Sequence, residues 1–283
     1  MNYDEEAVQF DCGEDSLVGI LAIPDEPRST GIVLIVGGPQ YRVGSHRQFT
    51  LLSRDVASDG FAVLRFDVRG MGDSGGASRD FRDIREDISA AIETLQRRVP
   101  AVRRVVLWGL CDAAAAALLY CVVGRDARVG GLCLINPWVR SAASEARTIV
   151  KHYYAQRLTE PEFWAKVLRG GVGGPAMKEW VRNMRRAGKD EPDGGGSSLS
   201  FQTQMALAWR RFEGPILLVL SERDYTAKEF VDLVESDDAW RGAFEHPHLT
   251  RHDVPGADHT FSDVTSQRSL QGHTLAWLRG EAS

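Results

Sequence analysis

The chain has 283 residues, is 43% hydrophobic and 26% charged, and carries a formal net charge of −5 at pH 7. That is an ordinary globular composition, long enough for one α/β domain with an insertion, and without the basic stripe that nucleic acid would require. The N-terminal MNYDEEAVQF has no apolar core of a secretory signal, and the four cysteines (Cys12, Cys111, Cys121, Cys133) lack CxxC spacing, so neither a disulfide framework nor a zinc site is expected and a reducing cytoplasm fits best.

In chain order, residues 16–24 and 30–36 (TGIVLIV) read as strands, the second apolar throughout like a strand covered on both faces. A helix over 46–59, ended by Gly60, precedes a strand over 61–67. Phe81, Ile84, Ile88, Ala91, Ile92 and Leu95 recur at helical spacing, which predicts a helix over 81–98 that Pro100 stops. A strand over 104–108, an alanine-rich helix over 112–123 and a strand over 129–135 ending in Asn136-Pro137 follow. The apolar run 105–123 imitates a membrane span, but Gly109 and Asp112 interrupt it, and a charge there is costly in a bilayer. No membrane span is therefore expected.

Only helices are predicted from 142 to 212: 142–158, 160–169 with Thr159 as N-cap, 175–187 and 200–212, with GKDEPDGGGSS before the last. The basic residues Arg182, Arg185 and Arg186 read as a solvated helix face. The strand pattern resumes over 215–220, then a helix, a strand over 249–254 and a final helix over 262–278. Strand-helix alternation implies a mostly parallel, doubly wound α/β sheet. The expected organisation is a core in two parts, 1–137 and 214–283, with a helical lid insertion over 138–213.

The chemistry concentrates in VVLWGLCDAAAAALL. A strand runs into Gly109-Leu110-Cys111-Asp112-Ala113 and a helix begins at once, which is the small-x-nucleophile-x-small spacing of a strained corner. The residues two before and two after the nucleophile must be small to avoid it, and the helix N-terminus favours a thiolate at Cys111. After the strand PILLVL comes Ser221-Glu222-Arg223-Asp224, where a carboxylate can orient a histidine; Asp224 is the first choice and Glu222 the fallback. After the last strand, Pro255-Gly256-Ala257-Asp258-His259 can return His259 over the sheet edge as the base. The remaining histidines fall inside other elements or at the wrong place in the nucleophile-acid-histidine order. Oxyanion donors are expected from the backbone N–H of Asp112 and from the loop Gly37-Gly38-Pro39-Gln40, with Gly38 first and Gln40 second because Pro39 has no N–H. The carboxylate of Asp112 would oppose a thiolate if it faced the sulfur, so it is expected to point elsewhere or bond locally. The loop Asp67 to Ser74 reads as structural support and lacks a phosphate-loop pattern; no metal spacing appears, and no cofactor is expected.

These residues resemble the α/β-hydrolase superfamily over essentially the whole chain. GGPQYRVGSHRQF, LRFDVRGMGDS and LWGLCDAA are similar, more narrowly, to bacterial exosortase-A-system-associated hydrolases, which accompany exopolysaccharide and protein-sorting gene clusters. The resemblance implies an α/β-hydrolase fold and hydrolase or acyl-transfer chemistry. Two departures stand out: cysteine for the usual serine, and Val36 where a histidine often precedes the oxyanion glycine. Thiolate leaves readily from a tetrahedral intermediate, so the expected substrate is a small molecule with an activated acyl group, an ester, thioester or lactone. Two alternatives stand beside hydrolysis: acyl transfer to a glycan or lipid acceptor, and a non-catalytic binding protein on the same fold. Trp138, Tyr153, Tyr154, Phe163, Trp164, Trp180 and Trp209 are candidates to line an acyl pocket, although any single one more simply packs the lid.

Overall fold

The computed structural model describes residues 2–38, 40–122, 126–140 and 199–281. Eight strands form one sheet in the order β1-β2-β4-β3-β5-β6-β7-β8. They are β1 (Tyr3–Cys12), β2 (Asp15–Pro24), β3 (Thr30–Ile35), β4 (Val63–Phe66), β5 (Arg104–Leu110), β6 (Val129–Ile135), β7 (Ile216–Ser221) and β8 (Leu249–Val254). From β4 to β8 every pairing is parallel, whereas β1–β2 and β2–β4 are antiparallel.

The first strand was not legible in the sequence, because its acidic, alternating pattern belongs to a sheet edge rather than to a buried strand. It pairs with β2 through the turn Gly13-Glu14, where Gly13 has φ 63°, the geometry a two-residue hairpin reserves for glycine.

Side chains alternate across the sheet and both faces are covered. On one face Val33, Leu64, Leu107, Leu134 and Leu218 pack with helices α2 (Arg85–Arg98), α3 (Asp112–Val122) and α4 (Phe201–Arg211). On the other, Leu34, Val63, Trp108, Cys133 and Val219 pack with α1 (Gln48–Ser58) and α6 (Val264–Glu281). Helix α5 (Tyr225–Ser236) follows β7.

Two expected helices begin later than the sequence suggested. His46 and Arg47 are left-handed, with φ 54° and 61°, so regular helix starts at Gln48. The 81–98 helix breaks at Ile84: a short 3-10 turn, Phe81–Asp83, is capped by Asp80, whose carboxylate accepts from Arg82 N at 3.0 Å. Of the expected insertion 138–213, residues 141–198 lie outside the described residues, so the predicted helices there and the basic cluster at Arg182 are not described. Its final helix, α4, lies against α3, burying Phe201, Met205 and Trp209.

The loop after β4 behaves as the support the sequence suggested. Asp67, fully buried, accepts from Arg42 N at 2.7 Å and Asp73 N at 3.1 Å, and also pairs with the Arg42 guanidinium. Arg69 is buried against Asp87 of α2, donating through its backbone N at 2.8 Å and through Nε at 3.0 Å.

Candidate active site

The central strand β5 ends at Leu110 and α3 begins at Asp112, so the whole direction change falls on Cys111. Its φ of 64° is left-handed, a conformation costing a non-glycine residue about 1–3 kcal/mol unless the surroundings enforce it. They do: Cys111 N donates to Ile135 O at 2.9 Å, and Cys111 O accepts from Trp138 N at 3.1 Å. The small flanking residues are steric necessities. A Cβ on Gly109 would lie 2.5 Å from the carbonyl of Ala113, which is itself fully buried. Cys111 is half-buried at the corner, whereas burial pushes the Cys133 thiol well up and that of Cys121 to about 12.

His259 reaches the same sheet edge from the loop after β8. Its Nδ1 lies 2.8 Å from Asp224 Oδ2. The hydrogen bond to Asp224 is the largest influence on the ring and that to Cys111 the next; together they outweigh desolvation and raise its pKa to about 10. The ring therefore favours its protonated form beside the Cys111 side chain. Asp224 is also the N-cap of α5, accepting from Thr226 N at 3.0 Å and Ala227 N at 3.3 Å. Asp224 thus caps the helix and also lies within hydrogen-bond distance of the His259 ring. Glu222 faces another way and accepts from Gly256 N at 2.7 Å, bracing the loop that delivers His259.

A residue that the sequence reading passed over ties the edge together. Asn136, fully buried and left-handed at φ 45°, follows β6 directly. Its Oδ1 accepts from Ser221 N at 2.8 Å, and its Nδ2 donates to Ser221 Oγ at 2.9 Å and to His259 O at 3.3 Å. The available signal was the Asn-Pro pair ending β6, since asparagine tolerates left-handed backbone. Three other described histidines are engaged elsewhere: His252 and His273 stack with ring centroids 3.8 Å apart, and His246 Nε2 lies 3.0 Å from Phe212 O. His152 lies outside the described residues.

The expected oxyanion donors have partners within the chain. Gly38 N donates to Asp112 Oδ2 at 2.7 Å, so the Asp112 carboxylate bonds locally to the facing loop. Gln40 N donates to Gly38 O at 2.8 Å, while Gln40 Oε1 is buried without a partner. Of the candidate pocket aromatics, Trp209 is buried against Phe230 and Trp240 and donates to Ala243 O at 2.9 Å, away from the corner. Trp138 carries the Arg140 guanidinium on its face, 4.8 Å from the ring centre. The other five lie outside the described residues. Among the described residues there is no cluster of three or more His, Cys, Asp or Glu that could hold a metal ion, and no helix long and apolar enough to cross a membrane.

Comparison with known proteins bears on the family and the fold. A sequence model described as alpha/beta hydrolase family matches residues 32–268. No curated protein matches significantly. Among solved structures, the chain is similar to an esterase of Pyrococcus furiosus, with 15% identity, 99% of this chain and 94% of that chain covered, and a TM-score of 0.67. It is also similar to a proline iminopeptidase of Mycobacterium smegmatis (15% identity, 98% and 99% covered, TM-score 0.60). A serine hydrolase without a lid from Xanthomonas campestris is a third (15% identity, 98% and 96% covered, TM-score 0.58). At such identities the likeness shows the fold.

Proposed function

From the premise that the chain belongs to the alpha/beta hydrolase family, we propose that it hydrolyses an activated acyl group through Cys111, His259 and Asp224. The supporting observation is one juxtaposition: a left-handed cysteine at the strand-to-helix corner, electrostatically coupled to a histidine whose other nitrogen is held by a buried aspartate. Asp224 fixes the tautomer and orientation of the ring and stabilises its charged form. The Cys111 thiolate attacks the acyl carbonyl and a tetrahedral oxyanion forms. As it collapses, the imidazolium gives its proton to the leaving alkoxide or thiolate, leaving an acyl-cysteine. His259, now neutral, takes a proton from water, which attacks the acyl-cysteine; Cys111 departs as thiolate and restores the ion pair.

Esters, thioesters and lactones are the substrates this chemistry favours. On an amide, the thiolate would depart before the amine. The esterase among the similar structures is compatible with this reading. Residues 138–213 are proposed to include the cover that sets acyl length, and the cytoplasm is the proposed location. The resemblance to exosortase-A-system-associated hydrolases suggests an exopolysaccharide-linked setting.

The test is turnover of a chromogenic short-chain ester by the wild type, Cys111→Ala and His259→Ala, with intact-mass detection of an acyl adduct on Cys111. Both substitutions are expected to reduce turnover by roughly a thousandfold or more. Wild-type turnover in either variant removes that residue from the mechanism. Acyl esters or amides of an added alcohol or amine in the product would assign acyl transfer instead.

A further inference from the structure

A donor that an oxyanion at Cys111 would need is already occupied from inside the protein. Gly38 N–H points at Asp112 Oδ2, 2.7 Å away. The donor expected from the loop after β3 is thus taken by a side chain at the start of α3. The second oxygen, Oδ1, is buried without a hydrogen-bond partner. It lies so close to the facing loop that a Cβ on Gly37 would stand 2.0 Å from it. Desolvation is the largest influence on this carboxyl and pushes it above the usual carboxylate range, against the opposing bonds from Gly38 and Ala113. A carboxylate seated on that N–H carries the charge of the oxyanion the donor would serve. An oxyanion forming next to it would meet like charge and find its loop donor taken. A simple helix cap would leave its second oxygen in water, which Asp112 does not.

We propose that Asp112 is the resting occupant of the oxyanion hole, and that a substrate carbonyl oxygen enters by displacing its side chain. The proposal rests on Cys111 being the acylated residue. A place for the displaced carboxylate adjoins it: a cavity of about 40 Å³ lined by Gly37, Gly38, Met71, Arg79, Phe81 and Asp112. Asp112 then determines specificity. An acyl group opens the hole only if its other contacts offset the bonds that Asp112 gives up, so short esters are turned over poorly relative to long ones.

The experiment uses the full chain and a series of p-nitrophenyl esters of increasing acyl length. If the hole is open in about a tenth of molecules, Asp112→Ala raises kcat/KM for the acetate ester about tenfold, with a smaller rise for the longest ester. Asp112→Asn keeps the shape and an acceptor but drops the charge, and gives a smaller rise; it decides the matter if the alanine variant melts early. Independently of turnover, the Gly38 amide proton resonates downfield in the wild type, as expected for a bond to carboxylate, and moves upfield in Asp112→Ala. A fall in kcat/KM in Asp112→Asn at unchanged melting temperature overturns the proposal, as does an unmoved Gly38 amide. Turnover that survives Cys111→Ala sinks the underlying reading instead, and the Gly38 amide still reports whether the carboxylate is seated.

Discussion

Cys111 and His259 are set by their immediate neighbours. The raised pKa of His259, about 10, comes first from Asp224 and then from Cys111. Asp224→Ala is expected to return the ring toward its ordinary range and to lower kcat by roughly a thousandfold or more, since a misoriented imidazole is the main loss in such sites. An NMR titration of the ring checks the first part and ester turnover the second. The linkage has a definite sign. Because the folded-state value lies above the ordinary histidine value of 6.5, the pairing stabilises the fold below that value. The stabilisation fades as pH rises from 6.5 through about 10. Urea unfolding at both ends of this window should show a larger alkaline loss in the wild type than in His259→Ala; equal losses would contradict the pairing. Gly37 is a second residue-level test. A methyl there would meet Asp112 Oδ1 at 2.0 Å and Ala113 N at 2.8 Å, so Gly37→Ala is expected to cost on the order of 1–3 kcal/mol in urea unfolding.

At the scale of elements, the edge is built from strand ends that would splay without ties between them. Asn136 joins the end of β6 to Ser221 at the end of β7 and to the backbone of His259. Asn136→Ala removes three hydrogen bonds and orphans the buried Ser221 N–H, for an expected loss of about 2–4 kcal/mol in urea unfolding. Because the change also frees the loop carrying His259, kcat should fall while KM changes little. An unchanged kcat would mean that this tie does not position the base. The same logic explains the two late helix starts. At Ile84 the apolar period runs on unbroken but the competing Asp80 cap delays the regular helix, whereas at 46–47 left-handed backbone delays it.

Across the whole molecule, burial sorts the cysteines. Cys12 and Cys133 are buried in opposite faces of the sheet, while Cys111 stands half-buried at its edge. A thiol reagent at neutral pH is expected to label Cys111 first and Cys133 only on unfolding, readable by peptide mass spectrometry. Fast native labelling of Cys133 would contradict the packing. The Arg69–Asp87 pair links the loop after β4 to α2 in the interior, with side chains 4% and 0% exposed. Asp87→Ala would leave the buried Arg69 paired with the exposed Glu86 carboxylate, so it should cost about 3 kcal/mol by urea unfolding.

The sequence by itself determined the α/β alternation, because apolar runs and helical periodicity are local. It also determined the corner at Cys111, because steric demand there falls on residues two positions away, and it marked Asp224 and His259 as candidates by their place after β7 and β8. Only the tertiary structure decided the rest. It made β1 an edge strand by supplying β2 as its partner. It put Asp224 rather than Glu222 on the histidine, and gave Asn136 its role, because both depend on contacts between strand ends far apart in the chain. Asp112 shows the difference most sharply: its neighbour in sequence is the cysteine, but its hydrogen-bond partner is Gly38, 74 residues away. That pairing arises because the sheet lays β3 beside β5.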